Sequence, residues 1–499
     1  MKRVFSHPLT ALATGLCLRL FFVLQFPQTS GDTVLYEEFA ANWLKHGVYG
    51  MTINGVVMPI DMRVPGYPAY LALVYAVTGR TGEAARLWVM LGQVAVDLLT
   101  CIVIAAIAAV LMRLPVSNWN PGTVFRAAVW LAAACPFTAN YVAVPLTETF
   151  AFFFTAAALL LTALLFGRFR GRSVSDLGVK TRWSPGVSGL AALLGLMLGV
   201  GTLFRPETPM VLAVVWLVAV PYLLKRRELR RAFQVVVISG AACFLPLVPW
   251  GIRNAVTLHE VQLLAPEYSN LPGEIIPYGF MRWERTWLWR FRDVYLVSWN
   301  LNSDKISLDT IPSYAFDSPD EKERVGAVLD AYNQTQTLTA EEDAAFGAIG
   351  SERSARHPLR TYFKVPALRA LSMWFTPRIE LLPFSGHLWP VEEGWQEDPV
   401  DFCFTIGFFL LNIVYVALGV WGGVRLWRWS ASLRPVLLVF LLYGVIRTTF
   451  LTTLETPEPR YVLECFPILL ALAAFVFVGE PQTPDYSRFT APRPVRGGS

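Results

Sequence analysis

Ten stretches of the chain are apolar at nearly every position: 8–27, 84–112, 122–141, 145–166, 187–205, 207–224, 232–251, 401–426, 435–454 and 461–478. A helix rising 1.5 Å per residue needs about 20 such residues to cross roughly 30 Å of hydrocarbon, so each run predicts a membrane-spanning helix. A further apolar piece, "GYPAYLALVYAVTG" from Gly66 to Gly79, is shorter and opens on a Pro-Gly-Tyr-Pro turn. It predicts a helix lying in the interface. Between 252 and 400 the pattern turns polar and carries helix starts: Ser318 as N-cap with Pro319 and Glu321 behind it, and Thr339 with Glu342 as a capping box. Near its end "HPLRTYFKVPALRALSMWF" alternates basic with apolar residues, as an interfacial helix does. The pattern predicts an all-α polytopic membrane protein, a bundle of about 10–12 transmembrane helices. The expected organisation is a transmembrane region over 1–254 with a loop at 28–83 holding two juxtamembrane helices, a mainly helical module over 255–400, a second transmembrane region over 401–480, and a disordered tail over 481–499.

Composition agrees with this. The chain has 499 residues, is 54% hydrophobic and only 16% charged, and its mean hydropathy is +0.45, values that exclude a soluble domain of this size. The net charge of +5 does not point to nucleic acid, because Lys and Arg fall in short gaps between apolar runs. Their placement reports topology. With 66–79 not crossing, Lys2 and Arg3, Arg113, "GRFRGRSVSDLGVKTR", "KRRELRR", Arg425, Arg428 and Arg434 share one side, which the positive-inside rule makes cytoplasmic. Both termini are then cytoplasmic, and the loop 28–83, the turns near 142–146 and 205–208, the region 252–400 and "ETPEPR" face the other way. The start of the chain reads as an uncleaved first span, since no small-residue cleavage site follows Lys2 and Arg3 and Arg19 interrupts the run. The six cysteines lie in or beside apolar segments without metal-type spacing, which predicts neither a disulfide framework nor a zinc site.

This topology gathers ionisable residues at the extracytoplasmic surface. Asp32 follows the first span, Arg63 precedes the flat helix, Glu148 opens a span, Arg205 and Glu207 flank a turn, Arg253 ends a span and Arg460 opens the last one. Taken singly, each has a structural explanation: Asp32 as the N-cap of a helix starting at Thr33, Glu148 and Glu207 at the positive ends of helix dipoles, the arginines as headgroup anchors. Together they place arginines opposite the side where arginine normally accumulates, beside carboxylates. An anionic substrate group explains the placement, and phosphate fits best, because the planar Arg fork binds it bidentately and helix N-termini add donors. Asp32 in the same cavity is placed to act as general base on an incoming hydroxyl. Deeper in the bilayer, Arg19 with Asp97 and Arg447 with Glu464 fall at matching depths of neighbouring spans and are expected to pair as structural ties.

The order of "SGDTVLYEEFAANWLKHGVYG", "RVPGYPAYLALVYAVTG", "PLTETFAFFF", "GVGTLFRPET", "WGIRN" and "PEPRYVLECFPILLAL" resembles the membrane-embedded GT-C glycosyltransferases, in particular dolichyl-phosphate-mannose protein mannosyltransferases and bacterial lipid A aminoarabinose transferases. The resemblance runs over nearly the whole membrane portion and is weak over 255–355. It implies a GT-C-like bundle, a polyprenyl-phosphate-linked sugar as donor, transfer to an acceptor hydroxyl and inversion at the anomeric carbon. It further implies that Asp32 is catalytic, that Arg63 contacts the donor phosphate, that Glu148 lines the same cavity, and that 66–79, with Tyr67 near its start, is the second juxtamembrane helix. Arg205, Arg253, Arg460 and Tyr67 complete the expected substrate-binding set with Glu207. Oligosaccharyltransferase relatives use a metal held by several acids, whereas Asp32 has no acidic neighbour nearer in sequence than Glu37, so no metal or other cofactor is expected. The bacterial relatives imply an inner-membrane location. The rival readings are a transporter or flippase of a lipid-linked anion, which the intramembrane charges suit, and a non-catalytic scaffold, in which Asp32→Asn leaves function intact.

Overall fold

A computed structural model of the protein describes residues 7–115, 121–173, 175–177, 185–266, 268, 275–386, 388–389 and 391–478. The expected tail over 481–499, Lys2 and Arg3 lie outside the described residues. All ten apolar runs are helical over most of their length. Among the described residues seven are long and apolar enough to cross alone: Pro8–Gln25, Glu83–Arg113, Glu148–Phe169, Leu229–Thr257, Pro399–Trp429, Arg434–Thr453 and Pro459–Phe477. An eighth is bent by 53° between Pro121–Ala133 and Pro136–Ala143, where Cys135 is extended and Pro136 opens the second piece, as expected where proline removes a helix donor. The remaining two, Val187–Thr202 and Met210–Lys225, have 16 residues each, about 24 Å of helix. They fall short of the expected span length because the stretch between them, with Pro206 and Pro209, is taken up by turns. The protein is thus an all-α polytopic membrane protein, with fewer full-length spans than the run count predicts.

The loop after the first span forms helix Gly31–His46, a two-stranded antiparallel hairpin Gly50–Ile53 with Val56–Pro59, and helix Gly66–Thr78. A helix lies over the apolar piece 66–79, as the pattern predicts, and another over Gly31–His46. The hairpin is an addition; Asn54 and Gly55 close it with positive φ of 52° and 82°, the conformation that Asn-Gly adopts in tight hairpin turns. The N-cap of the first of these helices is Ser30, which forms a capping box with Thr33. Asp32 lies inside the first turn and is not the cap, which corrects the structural explanation for it. Gly66 sits against the 203–209 turn: its N–H donates to Leu203 O at 2.6 Å, and a Cβ there would stand 2.4 Å from that oxygen. Only glycine lets the second juxtamembrane helix dock so closely.

The polar region contributes helices Pro319–Thr335 and Ala340–Arg356, capped by Ser318 and by the Thr339–Glu342 box as the sequence predicts. They enclose a cluster of their own around Phe280, Trp283, Trp287, Tyr332 and Phe346. Buried Arg369 on helix Val365–Trp374 ties this cluster to the bundle, donating at 2.7 Å both to Leu288 O and to Leu454 O.

Within the bundle Arg19 and Asp97 form the expected pair, Nε to Oδ2 at 2.6 Å, and Arg19 Nη1 also donates to Gly15 O and Ala133 O at 2.9 and 2.8 Å. Both side chains are fully buried. Removing one partner strands a charge in apolar surroundings, at about 3–5 kcal/mol. Asp97→Ala is therefore expected to lower Tm in detergent by roughly 5–10 °C. The double variant Arg19→Met/Asp97→Leu is expected to recover most of that loss, and a double variant no more stable than Asp97→Ala contradicts the assignment.

Candidate functional site

At one end of the bundle the charges alternate in an unbroken chain. Arg63 Nη2 donates to Asp32 Oδ1 at 2.9 Å, and Asp32 Oδ2 faces Arg460 Nη2 at 3.9 Å. Arg460 reaches Glu458 Oε2 at 2.5 Å and Glu148 Oε1 at 3.4 Å. The same Glu148 oxygen accepts from Arg205 Nη2 at 2.6 Å. Arg205 continues to Glu207 at 3.5 Å and Glu464 at 3.9 Å, and Arg447 closes the series on Glu464 at 2.6 Å and Glu207 at 3.6 Å. The guanidiniums of Arg205 and Arg460 lie 5.0 and 5.1 Å from the centre of the Tyr461 ring, within cation–π range.

Local structure explains each placement. Glu148 is the first residue of its span and Arg460 lies in the first turn of the last span, so both project from bundle ends rather than from apolar faces. Asp32 sits in the first turn of its juxtamembrane helix, where the dipole favours a carboxylate. Arg63 ends the extended connection after the hairpin, which Tyr49 fixes by donating its hydroxyl to Arg63 O at 2.8 Å.

A cavity of about 930 Å³ opens beside this chain, and its lining includes Asp32, Arg63 and Arg460 together with Glu284, Tyr295 and Trp299. Burial alone would raise the Asp32 carboxyl, but Arg63, Arg460 and Arg205 outweigh it and hold it below the usual carboxylate range. Glu284, buried in the lining of the same cavity with fewer cations near it, is pushed up to about 8. Among the described residues no group of three or more His, Cys, Asp or Glu is arranged to hold a metal. Asp32 and Glu148 each face arginines, so this donor set does not fit a divalent ion and no step is derived through one.

Of the residues picked from sequence, Asp32, Arg63, Glu148, Arg205, Glu207 and Arg460 come together. Arg253 does not: it donates to Ile60 O at 2.8 Å and Tyr49 O at 2.5 Å and lies over Trp250, bracing the hairpin. Tyr67 is buried behind the site, its hydroxyl on Gln93 Oε1 at 2.7 Å. Arg447 and Glu464 pair as the sequence predicts, and the pair is also the far end of the charge chain. Glu458, Tyr461, Glu284 and Glu380 were missed; Glu458 stands beside Arg460 inside "PEPRY" and was the one within reach of sequence reasoning.

No family model matches the sequence, and no curated protein matches it. Solved structures resemble it. One is archaeal oligosaccharyltransferase AglB from Archaeoglobus fulgidus in complex with an inhibitory peptide and a dolichol-phosphate, at 12% identity and a TM-score of 0.48, the match covering 94% of this chain and 50% of that one. Another is ArnT from Cupriavidus metallidurans bound to undecaprenyl phosphate, at 13% identity and a TM-score of 0.39, covering 93% and 77%. Both are GT-C glycosyltransferases. The chain spans about half the length of the oligosaccharyltransferase it resembles.

Glu284 makes a testable contribution to pH dependence. Its folded carboxyl titrates near 8 because of burial, against about 4.3 in an unfolded chain. Between those values the unfolded state has lost a proton that the folded state keeps, so stability falls as pH rises from about 4.5 to 8. Tm measured from pH 5 to 8.5 is expected to decline less steeply in Glu284→Gln than in wild type; parallel profiles contradict this.

Proposed function

We propose that the chain is an integral membrane glycosyltransferase that moves a sugar from a polyprenyl-phosphate donor to an acceptor hydroxyl, with inversion. The observation that carries this reading is Asp32 held between Arg63 and Arg460 at 2.9 and 3.9 Å on the wall of a 930 Å³ cavity. Two guanidiniums that converge on a cavity from different segments suit a phosphate, which each can engage with two donors. In the reaction, Asp32 takes the proton of the acceptor hydroxyl as its oxygen forms the new bond to the anomeric carbon. The bond from that carbon to the phosphate oxygen breaks on the opposite face, its electron pair leaving with the lipid phosphate. Arg63 and Arg460 stabilise the charge that grows there.

The electrostatics of Asp32 set an order of events. A carboxylate held down by arginines is a weak base. A phosphate that draws Arg63 and Arg460 toward itself releases Asp32 and lets its carboxyl rise toward its ordinary range, so the base becomes competent only with donor in place.

An apolar groove of about 960 Å³ between spans Pro399–Trp429 and Arg434–Thr453 and helix Val365–Trp374 supports a lipid-linked donor. It runs to Thr452 and Thr453, three residues short of Thr456 on the polar cavity's wall, so a prenyl chain in the groove would leave its phosphate near the arginines. Arg113, Arg168, Lys225, Arg428 and Arg434 lie at the helix ends opposite the cavity. That asymmetry supports a cavity on the extracytoplasmic face.

The test is transfer from radiolabelled polyprenyl-phosphate sugars by protein in nanodiscs. Asp32→Asn is expected to lower kcat by about 10²-fold or more with a Tm loss well below that of Asp97→Ala, because Ser30 and not Asp32 caps the helix and the Arg63–Asp32 pair is partly exposed. Arg63→Ala is expected to lower kcat/KM by roughly 10²-fold. It should also move the acid limb of the pH–rate profile upward, because a cation that holds the base down has gone. A wild-type protein that moves such lipids across liposomes but transfers no sugar sinks the transferase reading in favour of a flippase.

A further inference from the structure

The aromatic lining of the cavity is not explained by phosphate chemistry. It carries Tyr295 and Trp299, each more than two-fifths exposed, at 43% and 44%. Their ring centres lie 4.4 Å apart edge to face, and Phe291 stands 5.6 Å behind Trp299 and 4.9 Å behind Tyr295. An indole held rigid by two rings and left open toward a polar cavity is a stacking platform lacking its partner. Around it stand carboxyl groups. Glu284 is 2% exposed and accepts the Ser298 hydroxyl at 2.5 Å on one oxygen. Glu380 Oε1 is buried with no hydrogen-bond partner among the described residues, a position that costs free energy unless a ligand donor or water reaches it. Glu455 lines the cavity as well, whereas Glu458 stands on Arg460 at 2.5 Å, beside Asp32 and Arg63.

We propose that Trp299, backed by Tyr295, together with Glu284 and Glu380 forms a subsite for an uncharged sugar ring. The apolar C–H face of such a ring packs on the indole, while its hydroxyls donate to the carboxyl oxygens at its rim, the division of labour common to ligand pockets of mixed character. The inference rests on the transferase reading and adds a specificity to it: among the described residues Asp32 and Glu458 are ion-paired to Arg63 and Arg460, whereas Glu284 and Glu380 have no cation within 4 Å. A sugar bearing a carboxylate or phosphate would meet two carboxyls that are not directly paired.

The subsite can be tested apart from the reaction. Saturation-transfer difference NMR on wild-type protein in nanodiscs would use methyl α-mannopyranoside and methyl β-glucuronide as probes, with geranyl phosphate binding measured in parallel. The mannoside is expected to bind wild type, and Trp299→Ala to weaken it by about tenfold. Glu284→Ala should weaken it similarly while Glu284→Gln, which keeps a hydrogen-bonding oxygen, retains most of the affinity. The glucuronide should bind at least about tenfold more weakly than the mannoside, and geranyl phosphate affinity should stay within about twofold in Trp299→Ala. A mannoside that does not bind, or that binds Trp299→Ala and Glu284→Ala as well as wild type, overturns the subsite, as does a glucuronide that binds as tightly. If geranyl phosphate still binds in a manner that needs Arg63, only the subsite falls; if neither probe binds, the lipid-phosphate reading falls with it.

Discussion

A guanidinium among apolar helices must be matched by carboxylate, and Arg205 is where that requirement organises the molecule. It lies in the turn between two short apolar helices and is tied to Glu148 at the start of one span, to Glu207 in its own turn, and to Glu464 in the last span. These contacts bring three separate segments to one end of the bundle. Buried ion pairs add little net stability, because desolvation offsets the Coulomb gain, yet a broken one is severely penalised. What such a network supplies is geometry: the segments have few other arrangements in which every charge is met.

Asp32, Arg63 and Arg460 inherit their positions from this frame. Arg460 is shared between Glu148 inside the network and Asp32 at its cavity edge, so the placement of the candidate base depends on residues that never line the cavity. The juxtamembrane helix that follows Arg63 docks through Gly66 on the turn that carries Arg205. The hairpin before it is braced by Arg253. The two ends of the series differ: the Arg447–Glu464 pair is buried, whereas Asp32 and Arg63 are partly exposed to the cavity. The structural requirement of the bundle therefore grades into the chemistry of the cavity without a boundary between them.

Much of this was legible in the sequence, for physical reasons. Twenty-residue apolar runs have few alternatives to spanning helices, and charges at equal depth, such as Arg19 with Asp97, have few alternatives to each other. Capping chemistry located the helix starts at Ser318 and Thr339, but at Ser30 and Asp32 two good capping residues stand two positions apart, and only the structure shows which one closes the helix. Arg253 was grouped with the site because it ends a span on the right side; where a side chain points from a helix end is set by packing, and here it points to the hairpin. That hairpin was readable at Asn54-Gly55 and overlooked beside the stronger apolar signals. Glu284 and Glu380 lie in the polar region, where no periodicity relates them to Asp32, so their convergence comes only from the tertiary fold.

The central claim is that Arg63 and Arg460 hold a lipid phosphate beside Asp32. Phosphorus-31 NMR of undecaprenyl phosphate in nanodiscs with and without the protein measures this directly. The account predicts a bound resonance with wild type and with Asp32→Asn that is lost in the double variant Arg63→Ala/Arg460→Ala. A bound resonance that persists unchanged in the double variant, with the protein folded, would contradict it.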